Sequence, residues 1–363
     1  MKALYTAIIV IFVLNIQSSS AQGCVAIRSN GNACGMGNPG SAKGWQLNLN
    51  NRYFKSYKHF VGTEEQKERV DSGTQVINHG YSMDITLTRN INSRWSVSVT
   101  APFISNVRSS MYEHYGNASK NIHARRSTRA VGLGDLRLSV YRWMFDPAKS
   151  HKGNLQLGLG IKLATGDYQV QDYFWKNDTT YTMGPVDQSI QLGDGGTGIT
   201  TEVNGYYNIN HKLGVYGNFF YLINPRDQNG VSATRGAAPN ATALKYFTNT
   251  MSVPDQFMAR AGANYMAGNF TFSGGVRVEG VPSSDLIGGD RGFRRPGYVL
   301  SAEPVISYMK KKTTVYFALP VALVRNRTQS YSDKLRSADT KTHIQGDAAF
   351  ADFLVNAGIT FRF

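Results

Sequence analysis

Apolar side chains occupy every second position in the last seventeen residues of the chain, Asp347 to Phe363. The positions between them are mostly small or polar, so one face of an extended strand suits lipid and the other suits a wet interior. The pattern therefore predicts a membrane β-strand that closes an outer-membrane barrel and ends on an aromatic residue. The apolar positions are Ala349, Ala351, Phe353, Val355, Ala357, Ile359, Phe361 and Phe363.

The same alternation recurs between turn signals along the chain and predicts twelve strands. Their connections are alternately short and long, as in transmembrane barrels, where long loops are extracellular and short turns periplasmic. An even strand number then places both ends of the barrel in the periplasm. The predicted fold class is all-β, an antiparallel transmembrane β-barrel, rather than a soluble β-sandwich. The predicted strands cover residues 43–54, 77–89, 95–103, 132–145, 155–163, 198–209, 213–223, 255–267, 270–281, 297–309, 313–325 and 347–363.

The amino terminus has the features of an export signal. Lys2 precedes an apolar run, and small residues follow up to Ala21, so we predict a signal peptide over residues 1–21 with a cleaved form that starts at Gln22. Residues 22–42 would then be a periplasmic segment, and residues 43–363 the barrel. Cys24 and Cys34 are the only cysteines, and in an oxidising compartment two nearby thiols usually pair. Acylation of Cys24 is the alternative to this disulfide.

The composition agrees with a barrel. Charged residues make up 17% and hydrophobic ones 41% of the chain, which also contains 37 glycines and 20 tyrosines. A modest hydrophobic fraction is expected of a barrel because only half of the side chains in each spanning strand face lipid. The net charge of +15 comes from basic residues scattered over loops and strands, without a helix-turn-helix pattern, so we expect no nucleic-acid partner. Outer-membrane lipid and the phosphates of lipopolysaccharide are the expected partners of the basic loops, which contain Arg125, Arg126, Arg294 and Arg295.

Charges of both signs lie on the predicted lumen face. Such groups are costly in lipid but tolerable beside water or an opposite charge, so the lumen is either a hydrated channel or a plug of ion pairs. We predict that these residues line the path of a solute. They are Arg52, Asp84, Asp135, Arg137, Lys162, Glu202, Arg260, Arg277, Glu279 and Glu303, with Asp352 on the same face.

No catalytic or metal site is predicted. The sequence contains no His-x-Ser pair of the kind that barrel phospholipases carry, and its histidines are scattered. Two cysteines cannot supply a tetrahedral zinc site, and the Gly193 to Gly196 segment lacks the repeated acidic positions of a calcium loop. No enzyme activity and no cofactor are therefore expected. The aromatic loop over residues 165–197 either folds into the pore or packs on itself above the membrane.

Two short motifs resemble a known family. Gly132-Leu133-Gly134-Asp135-Leu136 is similar to a Gly-x-Gly-Asp-Leu signature, and Lys162-Leu163-Ala164-Thr165-Gly166 to a Lys-x-Pro-Thr-Gly signature with alanine at the proline position. Both are signatures of a family of outer-membrane transporters named for the meta-pathway of phenol degradation. The resemblance implies a barrel that passes small aromatic or fatty molecules. The terminal Phe363 resembles the signal that the barrel-assembly machinery of Gram-negative bacteria reads.

Two functions follow from the sequence. The first is an outer-membrane channel for passive diffusion of small molecules, with aromatic or hydrophobic solutes among the candidates and the lumen charges as its filter. The second is a closed structural or interaction barrel, in which ion pairs plug the lumen and the long loops bind a partner at the cell surface.

Overall fold

The computed structural model describes residues 43–363. The predicted signal peptide, the 22–42 segment and the predicted Cys24–Cys34 disulfide lie outside the described residues.

Within this part of the chain, one closed antiparallel sheet forms a barrel of twelve strands, as predicted. The sheet has fifteen segments because two barrel strands are each interrupted once and a two-residue segment extends the rim. The barrel segments are β1 (Gly44–Val61), β3 (Ile77–Asn90), β4 (Trp95–Ser110), β5 (Arg126–Leu133) with β6 (Arg137–Trp143), β7 (Gly153–Lys162), β10 (Gly198–Asn208), β11 (Leu213–Ile223), β14 (Gln256–Ala267), β15 (Phe270–Val281), β16 (Gly297–Lys310), β17 (Thr313–Ala318) with β18 (Val321–Asn326), and β19 (Ala348–Arg362).

The remaining elements lie in the long connections. Two hairpins rise outside the main sheet, and the longest helix, Tyr331–Thr340, begins with a capping box in which the Ser330 side chain accepts from Asp333 N and the Asp333 carboxylate accepts from Ser330 N. None of the helices among residues 43–363 is long and apolar enough to cross a membrane. The smaller elements are β2 (Glu64–Glu65), β8 (Gln171–Trp175), β9 (Tyr181–Pro185), β12 (Gln228–Ser232), β13 (Thr250–Ser252), the helices Lys67–Asp71 and Ala241–Lys245, and the 3-10 turn Gln188–Ile190.

The first and last strands close the barrel. Leu47 is opposite Phe361 and Leu49 is opposite Ile359, so the lipid-facing residues of β1 and β19 are in register. At the end of the barrel with short turns, Trp45 N donates to Phe363 O and Phe363 N donates to Trp45 O, each at 2.9 Å. Closure pairs the backbone N–H and C=O groups that the edge strands of an open sheet would leave without partners in lipid.

Near the opposite end, the predicted alternation of β19 is wrong. The pairing of β1 with β19 shifts register around Ser56, so the strand is bulged there. Ala349 and Ala351 were predicted to face lipid but are buried, and Ala351 packs with Phe54 on the inside. Asp352, predicted to face the lumen, is part-exposed and pairs with Lys58 at 3.0 Å. The pairing returns to its earlier register at Lys58 and Phe350, so the alternation is disturbed only around the bulge.

Two strands that the sequence predicted as continuous are interrupted. β17 and β18 are separated by Leu319 and Pro320, because proline has no N–H to donate to a neighbouring strand. β5 and β6 are separated by residues 134–136, where Asp135 enters the interior. The strands also rise further than predicted at the end with the long loops, where β1 reaches Val61 and β4 reaches Ser110.

An apolar belt surrounds the barrel. Aliphatic and phenyl side chains project outward from most strands, and aromatic rings gather at the end with short turns, where Arg89 lies over the Trp45 ring and Arg142 over the Trp95 ring. Soluble proteins do not expose a continuous belt of this kind, so it is the lipid-facing surface. Its exposed members include Val99, Leu138, Leu159, Ile199, Phe219, Val276, Phe317 and Phe353.

We expect Leu159→Lys to lower the free energy of unfolding by about 2–4 kcal/mol, because Leu159 is 61% exposed on β7 near the middle of the belt and a cation there enters hydrocarbon. Equilibrium urea unfolding of the protein folded into lipid vesicles measures this change. Ile209→Lys is the matched control, since Ile209 lies just beyond β10 at the short-turn end and should lose less than about 1 kcal/mol. Equal losses in the two variants would contradict the membrane position assigned to the belt.

Candidate functional site

All ten charged residues predicted to line the solute path are buried inside the barrel. The most exposed of them, Asp135, has 9% of its surface accessible. They form two groups, a charged belt across the middle of the lumen and a cluster closer to the long loops. The belt contains Arg52, Asp84, Arg137, Glu202, Arg260, Arg277, Glu279 and Glu303, and the cluster contains Asp135 and Lys162.

Arg277 is the centre of the charged belt. Its guanidinium donates to Glu279 at 2.7 Å from the same strand and to Glu303 at 3.3 Å from β16. Arg260 on β14 is 3.7 Å from Glu303, so two cations share one carboxylate. Across the lumen, Arg137 is 3.9 Å from Asp84. Most of the predicted cations therefore do have acidic neighbours, which limits the cost of burying them.

Two predicted lumen residues have neutral partners. Arg52 donates to the amide oxygen of Asn356 at 3.1 Å across the closing seam of the barrel. Glu202 accepts from the Tyr141 hydroxyl at 3.0 Å, while its second oxygen has no partner among residues 43–363. Two nitrogens of Arg260 are also unpartnered within this part of the chain. Buried charged atoms without a protein partner are costly unless water reaches them, which favours a hydrated interior over a fully paired plug.

The two sequence motifs meet at the interruption between β5 and β6. Asp135 accepts from Gly166 N at 2.9 Å and is 3.3 Å from Lys162 Nζ, while Leu136 N donates to the Thr165 hydroxyl at 2.9 Å. Asp135 from the first motif and Thr165 from the second thus accept hydrogen bonds from backbone N–H groups near the interruption. Lys162 also forms an ion pair with Asp194, which fastens the following loop to the same cluster.

The space at this junction is too small for a side chain at three glycine positions. A Cβ on Gly134 would lie 2.6 Å from Ile104 Cδ1, one on Gly166 would lie 2.8 Å from Leu192 O, and one on Gly193 would lie 2.7 Å from Asp135 Oδ1. These distances are below any normal contact. The loop therefore packs directly on the motif backbone, which the sequence motifs alone did not reveal.

The loop over residues 165–197 combines both predicted behaviours. Its aromatic hairpin, β8 with β9, packs outside the main sheet, where Tyr173 and Tyr181 rings contact at 4.8 Å. The part that follows, residues 186–196, turns into the barrel, and Val186, Ile190 and Leu192 are buried against Ile104 and Ala130. We call residues 186–196 the inward segment. It narrows the lumen at the end with the long loops.

An apolar chamber lies between the inward segment and the charged belt. This cavity of about 200 Å³ has the belt residues Arg137 and Glu279 on one side and Gln188 and Leu192 of the inward segment on the other. Charged groups such as Lys162 and Asp194 are part of its wall, but aromatic and aliphatic side chains form a large share of it, so the apolar part of a small solute would be desolvated there. These aromatic and aliphatic side chains include Phe54, Phe220, Leu222, Met251, Val281, Val299 and Phe350.

These apolar lining residues are not among the site residues predicted from the sequence. Phe54 and Phe220 occupy the same alternation positions as the polar lumen residues of their strands, so a signal was present. Phe350 also occupies a lumen-side position of its strand, because the register between β1 and β19 shifts only locally around Ser56 and is restored at the Lys58–Phe350 pair. Met251 comes from the short strand β13 in a long connection, and no periodic pattern marks it.

A second cavity of about 580 Å³ lies among the long loops, and we call it the vestibule. Asp187 is at its inner wall, where it accepts from both terminal nitrogens of Arg295, at 2.9 and 2.8 Å, and is 3.5 Å from Arg108. Burial opposes ionisation of Asp187, but the two guanidinium groups outweigh it and lower the pKa of this carboxyl far below its usual range. Seven arginines line the vestibule: Arg69, Arg108, Arg235, Arg294, Arg295, Arg327 and Arg336.

His114 supports the aromatic hairpin from the neighbouring loop. Its ring stacks on Phe174 at 5.8 Å, and its Nδ1 accepts from Trp175 N at 3.2 Å. Burial lowers the pKa of His114 to about 4, so the ring is neutral at ordinary pH and can accept this bond. No group of His, Cys, Asp and Glu side chains in residues 43–363 could hold a metal ion.

Comparison with known proteins identifies similar structures but not a family. No family model matches the chain, and no curated protein matches it. A crystal structure of an outer-membrane channel from Pseudomonas putida F1 has a TM-score of 0.58 at 10% sequence identity, with 93% of this chain and 100% of that chain covered. At this identity the likeness establishes the fold alone, a closed outer-membrane type of barrel.

Two further solved barrels match with lower scores. The toluene transporter TbuX of Ralstonia pickettii has 14% identity and a TM-score of 0.40, covering 96% of this chain and 98% of that one. The translocator domain of the autotransporter NalP from Neisseria meningitidis has 12% identity and a TM-score of 0.46, covering 90% and 91%. These scores are too low to support an argument about this chain.

We expect Arg277→Met to lower the free energy of unfolding by about 3–5 kcal/mol, because it leaves Glu279 and Glu303 buried without their shared cation. Adding Glu279→Gln to this variant should restore part of the loss. Urea unfolding in lipid vesicles measures both changes. If Arg277→Met alone left the free energy of unfolding unchanged, the ion pairs of the charged belt would not be part of the folded barrel.

Lowering the pH should destabilise the aromatic hairpin, because His114 becomes protonated. Its folded pKa of about 4 is below the ordinary value of 6.5, so the hairpin keeps its full stability above pH 6.5 and loses it progressively as the pH falls toward 4. Hydrogen exchange over residues 171–185, corrected for intrinsic rates, measures this loss. His114→Gln cannot be protonated and should show no such trend, and the same pH dependence in that variant would exclude His114 as the cause.

Proposed function

We propose that this chain is an outer-membrane channel through which small molecules diffuse passively, with aromatic or other hydrophobic solutes as its preferred cargo. The observation that carries the proposal is the sequence of environments along the lumen. A solute passes from the arginine-lined vestibule to the apolar chamber and then to the hydrated charged belt. A barrel built only as a structural plug has no need for an apolar chamber in its interior.

The orientation of the channel follows from its loops. The long connections and the vestibule are extracellular, and the short turns with the aromatic rings around Trp45 and Trp95 are periplasmic. The chain is thus an outer-membrane protein that is exposed to lipid along its apolar belt. Lipopolysaccharide contacts the basic extracellular loops, and the barrel-assembly machinery inserts the chain by its terminal strand.

Membership of the transporter family named for the meta-pathway of phenol degradation is part of the proposal. It is supported by the way the Gly134-Asp135 and Lys162 to Gly166 motifs interlock around one junction, which explains why both would occur together. In the exported protein, removal of residues 1–21 leaves the 22–42 segment in the periplasm, with Cys24 and Cys34 joined in a disulfide.

The charged belt acts as the filter of this channel. Arg137 and Arg277 are on opposite parts of its wall, one beside Asp84 and the other beside two glutamates. Charges of both signs on the wall of a narrow passage change the energies of permeating cations and anions by different amounts, according to which charge faces the free lumen. The apolar chamber in turn selects uncharged or amphipathic solutes by desolvation.

Planar-bilayer recordings of the purified protein should show discrete conductance steps. In a salt gradient, the double variant Arg137→Gln with Arg277→Gln should shift the reversal potential toward cation selectivity, because two cations have been removed from the filter. Arg142→Gln is the matched control, since Arg142 lies over Trp95 at the periplasmic rim and outside the filter. A silent bilayer with protein verified as folded and inserted would reject the open channel and favour a closed interaction barrel.

A further inference from the structure

The ion pair of Asp187 and Arg295 lies between the vestibule and the chamber. Arg294 and Arg295 line both cavities, whereas Asp187 lines the vestibule and the next residue, Gln188, lines the chamber. The two-pronged Arg295–Asp187 contact joins the loop after β15 to the inward segment, and only 7% of the Asp187 side chain is exposed. Opening a path from one cavity to the other at this point therefore requires a new partner for Arg295.

The vestibule contains one arginine without a carboxylate partner in the described part of the chain and another whose contact is long. Six of its seven arginines have a carboxylate within 4.0 Å, in part from residues outside the lining such as Glu113 and Asp285. Arg336 lies over the Tyr246 ring and has no carboxylate within 4.0 Å among residues 43–363. Arg235 lies over the Tyr112 ring, with its closest carboxylate, that of Glu113, at 4.0 Å. Such a surface attracts an organic anion by charge and offers aromatic faces to its apolar part.

The chamber beyond the ion pair suits the opposite end of such a molecule. Phe54, Phe220, Phe350 and aliphatic residues line it and can cover the apolar part of such a molecule, while Arg137 and Lys162 are the cations of its lining beyond Arg294 and Arg295. Arg294 is held by Asp285 at 2.7 Å, so Arg295 is the cation at this position that could hold a carboxylate while the attached ring or chain enters the apolar space. The two cavities together match a molecule with one charged end and one hydrophobic end.

We propose that the vestibule binds the carboxylate of an amphipathic organic acid and that this carboxylate replaces Asp187 on Arg295 to reach the chamber. The inference rests on the proposed channel function and names the solute class of the same path. The exchange replaces one carboxylate–guanidinium contact by another, so its net cost is small. Asp187 keeps its contact with Arg108 and is not left as an unpaired buried charge.

Calorimetric titration of the purified full-length protein in detergent tests the site without requiring conductance. The probe is benzoate, and benzamide is its uncharged match. Benzoate should bind saturably and at least about 10-fold more tightly than benzamide, because a charge-assisted bidentate contact contributes more than neutral hydrogen bonds. Equal affinities for the two probes would overturn the proposal.

Three variants separate the exchange from a structural effect. Asp187→Asn removes the competing carboxylate and should tighten benzoate binding at least about 10-fold, whereas damage to the loop would weaken it. Arg295→Gln should weaken it by a similar factor, and Arg142→Gln at the periplasmic rim should leave it unchanged. If Asp187→Asn failed to tighten binding, the exchange would be rejected.

Two further outcomes are decisive. Inorganic phosphate binding as tightly as benzoate would reduce the vestibule to a general anion site and overturn the assigned solute class. Clear conductance steps without benzoate binding would reject this inference and leave the channel intact. Benzoate binding in a protein that gives a silent bilayer would retain the vestibule site and reject the open channel.

Discussion

Everything in this structure depends on the rule that no backbone N–H or C=O can be left without a partner in hydrocarbon. A sheet satisfies that rule only by closing, so β1 must pair with β19 along its membrane height, as the contacts between Trp45 and Phe363 show at one end. Closure creates an interior that lipid cannot reach. Only because that interior exists can the chain bury ten charged side chains inside the barrel.

The same rule explains how the lumen is shaped. An interruption in a spanning strand exposes backbone groups, and the chain tolerates one between β5 and β6 because Asp135, Thr165 and neighbouring glycines satisfy and cover it. The interruption gives the inward segment a place to dock, with the Lys162–Asp194 ion pair as a second attachment. The segment then divides the lumen into a charged outer vestibule and an apolar chamber, which gives the path its chemical order.

Much of the fold could be predicted from the sequence. Strands β11 and β15 were predicted at the bounds that the structure gives, since uninterrupted alternation with a tight turn at one end defines both face and length. All ten charged lumen residues were placed inside by the same alternation. The predicted alternation of side chains was wrong at the bulge beside Ser56, where the strand pairing shifts register. The predicted continuous strand was wrong at Leu319-Pro320, where proline interrupts the pairing.

The sequence by itself determined the number of barrel strands, the face of nearly every side chain and the sign of the charges in the lumen, because a period of two is a local property of an extended chain. Only the tertiary structure decided which charges meet. Arg277 has Glu303 as a partner from an adjacent strand, and Asp187 has Arg295 from 108 positions away. The chamber and the vestibule arise from segments without periodicity that pack by shape, so they exist only once the barrel has closed around them.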